Sequence, residues 1–109
     1  MNKLQKSMPT WKNSLIKAEQ KFLSIEPEKA KRELGFAAQI FEQNPSLQKC
    51  DPVSIINAVV NVARTSITLN PVLKLAYLIP RKNKCVLEFS YVGLIKMLKD
   101  EGCIHYIEA

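Results

Sequence analysis

The chain has 109 residues, 47% of them hydrophobic and 24% charged, with a formal net charge of +6; it can form one small domain with a real core, which excludes disorder. With three glycines there is no glycine-rich phosphate loop, and Cys50, Cys85, Cys103 and the single His105 assemble neither a disulfide framework nor a four-ligand zinc site. No run approaches membrane-spanning length and the N-terminus has no signal-peptide core, so a reducing, cytoplasmic setting is expected.

Residues 1–10 read as a loose N-terminus. From Trp11 to about Ser24, Leu15, Ala18, Phe22 and Leu23 recur at helical spacing and predict an amphipathic helix. Pro27, flanked by Glu26 and Glu28, opens a second helix whose apolar positions are Ala30, Leu34, Ala37, Ala38 and Phe41. It ends at "QNPSLQKC", because Asn44 precedes a proline. "DPVSIINAVVNVARTSITL" starts a third helix, with Asp51 as N-cap and Pro52 at the first helical position. Its polar residues Ser54, Asn57, Asn61, Arg64, Thr65 and Thr68 form one stripe on an otherwise apolar, mostly buried helix. The asparagines read as a solvent-facing strip.

"NPVLKLAYLIPRKNKCVLEFSY" then predicts two strands of a hairpin. If Leu75, Tyr77, Ile79, Cys85, Leu87, Phe89 and Tyr91 share one face, paired positions have equal parity and the loop holds an odd number of residues, three or five around Arg81 to Asn83. "VGLIKMLKDEG" follows as a short helix with Leu94, Ile95 and Leu98 inward, Lys96, Lys99 and Asp100 outward, and Gly102 as its C-terminal glycine. "CIHYIEA" alternates as a third strand. The expected organisation is one domain over 1–109, with a helical portion at 11–50 and a helix-hairpin-helix-strand core at 51–109. An open sheet edge there predicts oligomerisation or a partner strand.

The charge is uneven. From Arg64 to Lys99 seven Lys/Arg face Glu88 alone, whereas the remaining nine basic and nine acidic residues cancel. Such a local field suits an anionic partner. Binders of single-stranded nucleic acid combine a cationic groove with aromatic rings on which bases stack. Lys74, Arg81, Lys82, Lys84, Lys96 and Lys99 are the candidates for phosphate contact, with Arg64 at the end of the polar stripe. Tyr91 is the leading stacking candidate, since the apolar neighbours of Tyr77 and Phe89 argue that their face is core. General acid–base chemistry has little support: the carboxylates are scattered and His105 has no evident partner, reading as an ordinary strand histidine. Cys85 reads as a small buried hydrophobe. No catalytic residue, metal ligand or cofactor is expected.

The stretch "DPVSIINAVVNVARTSITLNPVLKLAYLIPRKNKCVLEFSYVGLIKMLKDEGCI" resembles the central part of the RecT family of phage single-strand annealing proteins. The matching pieces are Asp51-Pro52 opening a helix, Asn70-Pro71 after it, the strand Ala76-Tyr77-Leu78-Ile79-Pro80, and Tyr91-x-Gly93-Leu94-Ile95 leading to Gly102. The resemblance, over about Phe36 to Ile107, implies an oligomer that coats single-stranded DNA without regard to sequence and pairs complementary strands without ATP. It also implies a phage exonuclease and the host single-strand-binding protein as partners, and places the six lysines and arginines along or near a basic groove shaped by the Tyr91 to Gly93 turn. Val92 stands where family members commonly carry a basic residue, which removes one phosphate contact. RecT-like proteins also continue beyond this length, so the chain is expected to be part of a larger annealing fold.

Together these readings give an α+β fold: N-terminal helices, a long antiparallel β-hairpin with a basic loop, a short helix and a third strand. The expected function is single-stranded DNA binding and annealing in phage-type recombination and repair. The alternatives are a non-enzymatic interaction or assembly module and a prophage remnant without annealing activity.

Overall fold

The computed structural model describes residues 10–100. Its elements are α1 (Thr10–Ile25), α2 (Pro27–Glu42), the single turn α3 (Pro45–Gln48), α4 (Pro52–Thr65), β1 (Ala76–Arg81), β2 (Lys84–Phe89) and α5 (Tyr91–Asp100). This is an α+β fold with a two-stranded antiparallel sheet. The expected third strand, with Cys103 and His105, and the glycine stop at Gly102 lie outside the described residues.

The helix boundaries follow local chemistry. Pro27 occupies the first turn of α2, and extended Asn44 before Pro45 ends the segment. At α4 the Asp51 carboxylate accepts from the Ser54 N–H at 3.1 Å, and Ser66 closes the helix in the left-handed region (φ 55°). One face of each long helix then enters a shared core. Ala18, Phe22, Ala30, Ala37, Phe41, Leu47, Ile55, Val59, Val60 and Val62 are almost wholly removed from water. The rings of Trp11 on α1 and Phe41 on α2 stack, with centroids 5.6 Å apart. Leu23, expected on the inner face of α1, is instead exposed. Helix α4 is central, packing against α1 on one side and β2 on the other.

One buried group in this apolar frame is ionisable. Glu33 on α2 has no exposed surface, and its carboxylate accepts from the Leu69 N–H at 2.7 Å and the Thr68 hydroxyl at 2.6 Å. Arg32 Nε adds a contact at 3.3 Å. These bonds fix the chain leaving α4 against α2, and they satisfy a carboxylate whose burial would otherwise be costly.

The hairpin corrects the expected register. Arg81 pairs with Lys84, Leu78 with Leu87 and Ala76 with Phe89, so the turn is the two residues Lys82-Asn83 rather than three or five. Both adopt positive φ, 49° and 65°, as a type I′ turn requires, and the Asn83 carbonyl accepts from the Asp51 N–H at 2.7 Å. The inner face is therefore Ala76, Leu78, Pro80, Cys85, Leu87 and Phe89, while Tyr77 and Ile79 fall on the opposite face with Arg81, Lys84, Val86 and Glu88. Since Arg81–Lys84 flanks a two-residue turn, Pro80 and Cys85 form a pair that exchanges no backbone bonds. The position without an N–H on Pro80 thus points off the sheet, and the Cys85 N–H points to the other edge, where Ser54 Oγ accepts it at 2.9 Å.

Both thiols among the described residues, Cys50 and Cys85, are buried and unbridged. Burial first, and then the charge of Cys50, pushes the Cys85 thiol up to about 12; burial also raises Cys50. At pH 8 Cys85 is expected to resist maleimide in the folded protein and to react on unfolding, checked by mapping the labelled peptides by mass spectrometry. Replacing Glu33 by Ala leaves the buried Leu69 N–H and the half-buried Thr68 hydroxyl without their acceptor, and is expected to lower stability by about 1–3 kcal/mol; Glu33→Gln, which keeps one acceptor, is expected to cost less. Urea unfolding of the three proteins with an unchanged slope measures this.

Candidate nucleic-acid interface

Apart from Arg64, the basic residues singled out as phosphate contacts lie at two places set by the hairpin. At its turn end are Arg81, Lys82 and Lys84, all exposed. This end is fastened to α4 by two bonds, Asp51 N–H to the Asn83 carbonyl and Cys85 N–H to Ser54 Oγ, at 2.7 and 2.9 Å. The basic tip is thus a held surface rather than a loose loop. Arg81 forms an ion pair with Glu88 at 2.5 Å, which uses the one acidic side chain between residues 64 and 99; Asp51, the N-cap of α4, lies beside the tip. Lys82 and Lys84 form no ion pair among the described residues.

At the open end of the hairpin lie Lys74, Tyr91, Lys96 and Lys99, all exposed. Strands of six residues put this end on the order of 16–20 Å from the tip. Lys74 holds a left-handed conformation (φ 52°) immediately before β1. The connection to α5 is made by one carbonyl: Leu75 O accepts from the Ser90 N–H at 3.0 Å and from Ser90 Oγ at 3.2 Å, while Ser90 Oγ also accepts from the Gly93 N–H at 2.9 Å. Ser90 thereby caps α5. A Cβ at Gly93 would stand 1.9 Å from the Leu75 oxygen and 2.8 Å from its carbon, so only glycine lets the helix start against that backbone.

Tyr91 is therefore the first residue of α5 and not the end of a strand, and it is 77% exposed. Its ring is open for stacking, whereas Phe89 is half-buried on the inner face. Tyr77, placed in the core by the sequence, is 42% exposed on the outer face with Arg81 and Lys84. The inward side expected for α5 is also thinner than the sequence suggests: Leu94 is exposed and Ile95 and Leu98 are half-covered. Val72, Leu73, Tyr91, Val92 and Leu94 leave apolar surface at this open end.

Arg64 is exposed near the C-terminal end of α4, its Nη1 donating to Asn61 Oδ1 at 3.3 Å. Asn57 is exposed and Asn61 half-buried, in keeping with a solvent-facing strip. Asn57 and Asn61 line a groove of about 330 Å³ between α4 and the free edge of β2, shared with Ser54, Lys84, Val86 and Leu87. A second groove of about 260 Å³, lined by Trp11, Leu15, Ile16 and Leu34, lies between α1 and α2 and is apolar. Two features escaped the sequence reading. Glu33 could have been noticed as the acidic residue inside the apolar spacing 30, 34, 37, 41. The Asn57 groove had no signal, because only the packing of β2 creates it. Among the described residues no group of three His, Cys, Asp or Glu is placed to hold a metal, and no helix is long and apolar enough to cross a membrane.

Residues 32–109 match the sequence profile described as the RecT family. No curated protein and no solved structure matches the chain.

Substituting Gly93 by Ala forces the Leu75 carbonyl and the start of α5 apart. The expected cost is about 1–3 kcal/mol, with loss of amide-exchange protection at Ser90 and Leu94 while α1 and α2 keep theirs; hydrogen exchange read by mass spectrometry or NMR checks it.

Proposed function

The chain belongs to the RecT family, and from that premise we propose that it binds single-stranded DNA without regard to sequence and anneals complementary strands without ATP, as in phage-type recombination. The observation that carries this reading is a cationic surface with almost no internal neutralisation. Lys74, Lys82, Lys84 and Lys99 make no ion pair among the described residues, and Glu88, the one acid between residues 64 and 99, is taken by Arg81. Cations left without partners on pinned elements are suited to phosphates.

The mechanism requires no bond chemistry and no cofactor. Lys82, Lys84 and Arg81 at one end of the hairpin and Lys74, Lys96 and Lys99 at the other neutralise phosphates along the strand and release its counterions. Tyr91, standing clear of the core, offers a face on which a base stacks. Bases not engaged in this way stay available to a complement. Neighbouring subunits prolong the surface, with a phage exonuclease supplying the single strands and the host single-strand-binding protein as a further partner, in the cytoplasm.

A second reading draws on the exposed apolar set at the open end of the hairpin. Val72 and Val92 are 81% and 61% exposed there, which supports an assembly surface whose main partner is protein. Charge separates the two readings.

Annealing of two complementary labelled oligonucleotides, followed without ATP over a range of salt, tests the proposal. The chain is expected to accelerate pairing, with a logarithmic salt dependence of about 0.7 per phosphate contact on a single strand. Reversing Arg81, Lys82 and Lys84 to Glu is expected to abolish DNA binding while leaving the oligomeric state, read by light scattering, unchanged. Equal annealing by the parent and the reversed chain would reject the annealing assignment.

A further inference from the structure

The groove between α4 and the free edge of β2 is lined by hydrogen-bonding groups from both elements. At its narrow end Ser54 Oγ is used on both sides, donating to the Asp51 carbonyl at 2.6 Å and accepting from the Cys85 N–H at 2.9 Å. The Asp51 carboxylate is likewise engaged by the Ser54 N–H at 3.1 Å. That end is closed. Farther along α4, one turn apart, Asn57 and Asn61 line the groove together with the free edge of β2 over residues 84–87.

The orientation of Asn61 is dictated by its neighbour. A guanidinium has only N–H donors, so the Asn61 atom facing Arg64 Nη1 at 3.3 Å has to be the carbonyl oxygen. Its NH2 is left as the group presented to a ligand. Lys84 also has donors only, and Asn57, which makes no hydrogen bond among the described residues, can turn its NH2 the same way. Leu87 alternates with Val86 along β2, so like Cys85 it turns its N–H away from β1, toward this edge. The groove therefore offers its contents two side-chain amides, an ammonium and the outward N–H and C=O of Leu87. Its one carboxylate, that of Asp51, is at the closed end.

We propose that this groove seats a phosphodiester group of the bound DNA strand, held by the amide groups of Asn57 and Asn61 and the ammonium of Lys84. The assignment rests on the DNA-binding reading above and extends it from exposed lysines to a neutral, shaped site. Neutral donors commonly position a nucleic-acid backbone, and they do so without displacing counterions. Here they stand between the turn-end lysines and Arg64, so the site joins the hairpin tip to the C-terminal end of α4. Its Asp51 border keeps an anion away from the closed end and toward Asn61.

The salt signature tests it. Binding of a labelled single-stranded oligonucleotide is measured by anisotropy at several salt concentrations for the parent, for Asn57→Ala/Asn61→Ala and for Lys84→Ala. Both asparagines lie on an outward stripe, so thermal melting should be unchanged; Asn61→Asp provides a second variant that keeps the size of the side chain and replaces its donor by a negative charge. The expected results are binding about tenfold weaker for the double alanine with an unaltered salt slope, a slope lower by about 0.7 for Lys84→Ala, and the greatest loss per residue for Asn61→Asp. The same tenfold loss is expected on an abasic strand, whose phosphates are intact. A loss that disappears on the abasic strand would assign the asparagines to bases and overturn the proposal. Normal binding by the asparagine variants, with Lys82→Glu/Lys84→Glu defective, would overturn it while leaving DNA binding intact. Failure of the parent to bind any oligonucleotide overturns both.

Discussion

A single buried carboxylate decides how the two halves of this protein meet. Glu33 lies in the apolar stripe of α2, and its oxygens bind the chain just where it leaves α4, at Thr68 and Leu69. A hydrophobic residue would fill the same space and leave the Leu69 N–H without an acceptor in the interior. With that exit direction set, Asn70 and Pro71 turn the chain, Leu75 enters the core, and the hairpin comes back along α4. Three further polar contacts complete the placement: Asp51 with Asn83, Ser54 with Cys85, and Leu75 with Ser90. All are backbone bonds or bonds to a short side chain, which reach only one place and tolerate little displacement.

This arrangement divides the labour between core and surface. Aromatic and aliphatic packing is concentrated in α1, α2 and α4, with Trp11, Phe22 and Phe41 filling it. The hairpin and α5 contribute less to the core, and the stretch around them carries the excess of positive charge. A thin, two-stranded sheet is marginal alone, so its attachment to the wall of α4 is what gives the lysines fixed positions. The Arg81–Glu88 pair, with both side chains partly exposed, adds little to stability. Its larger effect is to remove one charge of each sign from a surface that is otherwise positive.

The legible parts of the fold were those written in local chemistry. Asp51-Pro52, Pro27 and Asn44-Pro45 mark helix ends whatever the tertiary structure, and the 3.6-residue period of α2 survives because one face is wholly buried. The phase of the hairpin was not legible. Ala76, Tyr77, Leu78 and Ile79 are all compatible with burial, so alternation alone left the choice of face to an assumption about the loop. The turn decided it: Asn83 tolerates positive φ, Lys82 follows, and the Asp51 N–H holds the result. At the candidate interface, the cluster of cations was readable from composition. The pairing of Arg81 and the groove beside Asn57 depend on residues brought together from separate elements, and sequence spacing does not encode such contacts.

The match to the RecT family begins at residue 32, inside α2. The fold does not respect that line. Helix α1 and the first turn of α2 lie before it, yet α1 covers one side of α4, and Trp11 on α1 stacks on Phe41 within the matched part. In this chain the stretch recognisable as family therefore shares its core with a helix that precedes it. Cut at residue 32, it would open to water the side of α4 that α1 now covers. The segment preceding the family boundary acts as a lid on the family's own central helix, so in this chain the unit of kinship and the unit of stability are different lengths of polypeptide.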